Sequence, residues 1–103
     1  MSAPTRIRVS LQEGITELRM LMSHPMESGL RKDAEGNTVP AHYITEVTVS
    51  HAGRIVLTAQ FGPSVSANPY LSFRFTGGAT GDEVTVAWRD NRGEGRSDTV
   101  RIP

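Results

Sequence analysis

Three histidines, eleven acidic residues and eleven basic residues are the groups with which this 103-residue chain could do chemistry. The histidines are His24, His42 and His51. His24 opens a polar, turn-rich segment, Ser23 to Pro40, that also holds Met26, Glu27, Arg31, Lys32 and Asp33. A metal site needs several ligands converging on one point. His24, Glu27 and Asp33 are the set this segment could offer, but their spacing matches no recognised metal motif. His24 is equally readable as a loop residue that packs or hydrogen-bonds, and His51 as a turn residue. No metal and no cofactor are expected.

Nucleophilic chemistry finds still less. Cysteine is absent, which removes thiolate chemistry, disulfides and sulfur-ligated metals together. No serine stands in a G-x-S-x-G elbow, and Gly62-Pro63-Ser64 is not one. Gly77-Gly78 with Gly81 lacks the Lys-Ser/Thr and the helix that a phosphate cradle requires, so it reads as a hairpin loop. Paired acids remain open on spacing alone. A sandwich of this size has little room for a catalytic cleft, and the acids read as solvated.

The elements that must position these groups are strands. Ile7, Val9 and Leu11 alternate with polar residues, as do Leu57, Ala59 and Phe61, then Leu71, Phe73 and Phe75, then Val84, Val86 and Trp88. Period two is the strand period. The run from Tyr43 to Ser50 places Val47 and Val49 on one face. Residues 15–22 fit either period: Leu11, Ile15, Leu18 and Met22 are at helical spacing, whereas Leu18, Met20 and Met22 alternate. Gly14 and Pro25 bound the segment, and it is read as a strand. His51-Ala52-Gly53-Arg54 and Asp90-Asn91-Arg92-Gly93 carry turn chemistry. The pattern predicts an all-β, antiparallel β-sandwich of about seven strands, one domain over residues 1–103. Trp88, Phe73, Phe75, Met20 and Met22 are expected in its core.

Composition sets the outer bounds. Equal numbers of acids and bases argue against nucleic acid as a partner. No stretch approaches the roughly 18 apolar residues of a membrane span. The N-terminal residues MSAPTRIRVSLQEG hold no apolar run of signal-peptide length. The segment 23–40 is longer than most connections in compact domains, and such loops tend to be functional. The stretch 61–71, with Pro63 and Pro69, is either an ordinary connection or a preformed docking surface beside it.

Three stretches together resemble one family. They are Ile7-Arg8-Val9; His24-Pro25-Met26-Glu27 with Gly29, Arg31-Lys32-Asp33 and Gly36; and Gly62-Pro63 with Val65-Ser66-Ala67-Asn68-Pro69-Tyr70-Leu71 and Phe73. The chain is similar to SoxZ, the small subunit of the SoxYZ sulfur-carrier complex of thiosulfate oxidation. The resemblance implies an immunoglobulin-like sandwich and a non-catalytic scaffold that pairs with SoxY. In that family the partner's cysteine, near its C-terminal end, carries the sulfur intermediates to the Sox pathway enzymes. It also implies a periplasmic location reached by co-export with SoxY. His24, Met26, Arg31, Lys32, Asp33 and Asn68 are then expected to form or support the surface near the carrier arm. Arg31 and Lys32 would attract sulfur oxyanions, or Arg31 and Asp33 would instead brace the loop. The alternative function is a stand-alone ligand-binding β-sandwich module, for which exposed aromatic residues would be the mark.

Overall fold

The computed structural model describes residues 3–103. Seven strands form two antiparallel sheets: β1 (Arg6–Gln12), β2 (Ile15–Leu21), β3 (Ile44–His51), β4 (Arg54–Gln60), β5 (Tyr70–Thr76), β6 (Glu83–Asp90) and β7 (Gly95–Arg101). One sheet has the order β1-β2-β5, and the other β4-β3-β6-β7. This is an all-β sandwich, as the period-two pattern predicts. No helix of the described residues is long and apolar enough to cross a membrane.

The turns explain the pairings. Glu13-Gly14 has φ of 53° and 77°, and Ala52-Gly53 has 49° and 82°. Two consecutive positive-φ residues match the right-handed twist of flanking strands, so these two-residue turns fix the β1–β2 and β3–β4 registers. Ile15 thereby lies opposite Gln12 and Leu18 opposite Val9. The ambiguous segment is indeed a strand. Thr16, Leu18, Met20 and Met22 are fully buried, whereas Ile15, Arg19 and Leu21 are exposed.

The core runs along β2, β3 and β6. Leu18, Met20, Met22, Ile44, Val47, Val49, Val84, Val86 and Ile102 are buried between the sheets, with Met26 and Trp88 at one end. The four outer strands bury their inward residues only partly. Phe73 and Phe75 pack against the core without entering it, because β5 is an edge strand with no neighbour beyond it. The expectation that they sit in the core is corrected to that extent.

The long connection is not structureless. Glu27 and His42 pair across its base, and Lys32 and Thr38 pair near its tip. The Val39 N–H donates to Arg31 C=O at 2.8 Å, and the Asp33 N–H to Asn37 C=O at 2.9 Å. Backbone groups satisfied in this way let a polar segment hold one shape.

Candidate functional site

The period-two alternation of β6 sends Val84, Val86 and Trp88 inward and continues to Asp90. A carboxylate therefore ends an inward-facing row, at the mouth of the β6–β7 turn. The turn is clamped: Asp90 N–H donates to Glu94 C=O at 2.8 Å and Gly93 N–H to Asp90 C=O at 3.2 Å. Asp90 Oδ1 accepts from the backbone N–H of Arg92 at 3.0 Å and of Glu94 at 2.9 Å. This side-chain–backbone bonding is what favours Asp at the start of a turn.

Two histidines converge on the other oxygen. His24 Nε2 lies 3.1 Å and His42 Nε2 2.8 Å from Asp90 Oδ2. His42 Nε2 is also 3.2 Å from Glu94 Oε1. His24 and Asp90 are each only 4% exposed. The Met26 N–H donates to His24 Nδ1 at 3.1 Å. A backbone N–H can only donate, so Nδ1 must accept and Nε2 must carry the ring proton. His24 is thereby a fixed donor to Asp90. Burial alone would push the Asp90 carboxyl up. Hydrogen bonds from His24, the Glu94 backbone, His42 and the Arg92 backbone outweigh it and hold the group below its ordinary value.

The surrounding loops are stitched to this centre. His24 N–H donates to Asn68 Oδ1 at 3.1 Å, and Asn68 N–H returns a bond to His24 C=O at 2.9 Å. Asn68 holds a φ of 53°, which asparagine tolerates better than most residues. The Met22 N–H donates to Pro69 C=O at 2.9 Å. The His24 ring stands edge-on to Trp88, with centroids 5.1 Å apart, and to His42 at 4.5 Å. Beside them opens a cavity of about 670 Å³ lined by His24, His42, Asn68, Trp88, Asp90 and Glu94 among others. The indole Nε1 of Trp88 is buried with no hydrogen-bond partner among the described residues.

The residues singled out from the sequence divide into two groups. His24, Met26 and Asn68 meet at this end of the sandwich. Met26 is 6% exposed, has a φ of 49°, and its sulfur accepts the Ile44 N–H at 3.3 Å. His24 and Met26 are thus buried and are not part of an exposed surface. Arg31, Lys32 and Asp33 lie out on the exposed loop. Arg31 forks onto Glu27, with Nη2 to Oε1 at 2.9 Å, and this contact raises its pKa. Asp33 Oδ1 caps the backbone N–H groups of Glu35 and Asn37 at 2.9 Å each. Both sets of contacts stay within the loop. Glu27 and Asp33 therefore have partners other than His24. The groups that join His24 are His42 and Asp90, with Glu94 reaching His42. All three were missed in the sequence, although the inward step from Trp88 to Asp90 is visible there. His51, at the opposite end of β3, pairs with Asp82 at 2.7 Å.

Fold and site together define a small sandwich whose histidine–carboxylate centre ties three loops at one end. The comparisons with known proteins give the family. The sequence matches the family described as "Sulphur oxidation protein SoxZ" over residues 6–101, and the chain belongs to it. It is accordingly a subunit of a Sox sulfur-oxidation system. No curated protein matches the sequence. Among solved structures, a superoxide reductase (neelaredoxin) from Ignicoccus hospitalis is similar, with a TM-score of 0.63 and 14% identity over 98% of this chain and 80% of that one. At that identity the likeness bears on the fold alone.

Proposed function

We propose that the chain is a non-catalytic scaffold subunit that pairs with SoxY, whose C-terminal cysteine carries sulfur intermediates during thiosulfate oxidation. The observation that carries this reading is the family match across residues 6–101. A chain with no cysteine of its own is consistent with it, because a covalent sulfur carrier needs a thiolate. The Sox enzymes would reach the complex through the SoxY arm. The periplasm is the proposed location, reached by co-export with SoxY.

His24, Met26 and Asn68 would shape the end of the sandwich from within, and Arg31, Lys32 and Asp33 would present the loop above it. Arg31 is turned to Glu27, which favours a bracing role for it. Lys32 is exposed and remains the better placed of the two to meet an anionic adduct.

Co-expression with SoxY followed by gel filtration tests the pairing. A stable complex in which both chains co-elute is expected. Separate elution of a well-behaved monomer would contradict it.

A further inference from the structure

The geometry points to a divalent first-row metal site formed by His42 Nε2, Asp90 Oδ2 and Glu94 Oε1, with open coordination positions facing the adjoining cavity. This inference is independent of the scaffold reading and departs from the sequence expectation of no metal.

His42 Nε2 stands at coordination-shell spacing from each of the two carboxylates. An octahedral ion with bonds of about 2.1 Å sets neighbouring donors about 3.0 Å apart. A tetrahedral zinc ion sets them about 3.3 Å apart. His42 Nε2 lies 2.8 Å from Asp90 Oδ2 and 3.2 Å from Glu94 Oε1. The Glu94 side chain is 61% exposed, so it is free to rotate and close the third side of either geometry. Asp90 and Glu94 stand on the two arms of one clamped turn, so the turn itself fixes their backbone separation.

The two imidazoles are not equivalent. His24, His42 and Asp90 hold ligand atoms all within 4.8 Å of one another, and Glu94 joins them through His42. His24 Nδ1 is occupied by the Met26 N–H, however, so its Nε2 keeps a proton and cannot offer a lone pair. His24 is therefore a positioning residue that orients Asp90, as outer-shell partners of metal ligands commonly do. His42 differs. Its Nδ1 has no hydrogen-bond partner among the described residues. The ring proton can move from Nε2 to Nδ1, which frees the Nε2 lone pair without any net loss of a proton.

One imidazole with two carboxylates suits Zn²⁺ or Mn²⁺ and disfavours Mg²⁺, which prefers an all-oxygen shell. Trp88 is the single tryptophan, and its ring touches that of His24, so its fluorescence reports on the centre.

Calorimetric titration of ZnCl₂ into the full, tag-free, metal-stripped chain tests the site, with Trp88 fluorescence as the second readout. Binding of one ion per chain is expected. Glu94→Gln and His42→Ala should each weaken it about tenfold or more. His51→Ala, which removes the other His–Asp pair, should leave it unchanged. Glu94→Gln alters an exposed side chain, so it decides the matter even where His42→Ala unfolds. No saturable binding up to about 1 mM, binding unchanged in Glu94→Gln, or MgCl₂ binding as tightly as ZnCl₂ would each overturn the inference.

Discussion

Replacing Asp90 with asparagine should be among the most damaging single-atom changes in this chain. The side chain is 1% exposed, and its carboxylate takes four donors: the N–H groups of Arg92 and Glu94, and Nε2 of His24 and of His42. Asparagine keeps one acceptor oxygen and replaces the other with an amide donor. Turned toward the hairpin, that amide meets two backbone N–H groups. Turned the other way, it meets His24 Nε2, whose proton is fixed there by the Met26 N–H. No rotamer escapes a donor facing a donor. An unsatisfied buried donor costs about 1–3 kcal/mol, and the remaining bonds lose their charge assistance. The sum is about 3–5 kcal/mol, in the range seen when one partner of a buried pair is removed. With a urea slope of about 1.5 kcal/mol/M, the midpoint should fall by about 2–3 M. Urea unfolding followed by circular dichroism and Trp88 fluorescence measures it. His42→Ala, which leaves Asp90 three donors, should cost less. A loss below about 1 kcal/mol for Asp90→Asn would refute the locked-donor reasoning.

Other expectations follow from particular contacts. Gly78 has a φ of 100°, and a Cβ there would collide with Thr16 Oγ1, which donates to Gly77 C=O. Gly78→Ala should cost about 2–4 kcal/mol in thermal or urea unfolding, against about 1 kcal/mol for Gly81→Ala, where the space is open. Asp90, Asp98 and Asp82 are held below the ordinary value of 3.8. For Asp90 and Asp98, burial pushes up and hydrogen bonds, to the histidines and to Arg96, prevail; for Asp82 the His51 bond leads. The folded state therefore binds fewer protons than the unfolded one in this range. The added stability is present above about pH 4 and is lost as pH falls through the folded values, so melts from pH 5 to pH 2 should show a steep decline. Asp90→Asn should flatten that decline. Charge reversal at Lys32 should lower Sox turnover and its salt dependence more than reversal at Arg31; equal, unchanged turnover in both would remove the electrostatic role.

Much of the fold was legible because its rules are local. Period-two alternation and the turn chemistry at residues 51–54 and 90–93 place the strands with no long-range information. Residues 15–22 resolved to a strand because Gly14 and Pro25 bounded them. The partial exposure of Phe73 and Phe75 was not legible, since alternation gives a residue's face and not whether its strand is an edge. The centre was half visible. His24 and Asn68 stood out through their motifs, whereas His42, Asp90 and Glu94 lie 18, 66 and 70 residues further along the chain from His24. Asp90 was read as a turn residue, which it is. That it also faces inward follows only when the row from Val84 through Trp88 is extended by one step. The tautomer of His24 depends on the Met26 N–H reaching its Nδ1, a side-chain placement that strand alternation and turn rules do not supply.

Native and intact mass spectrometry of the complex co-purified with SoxY after exposure to thiosulfate and the Sox enzymes tests the scaffold reading most directly. One copy of each chain is expected, with every sulfur adduct on the SoxY cysteine and this 11.2 kDa chain at its unmodified mass. A covalent sulfur adduct on this chain, or its failure to accompany SoxY, would contradict it.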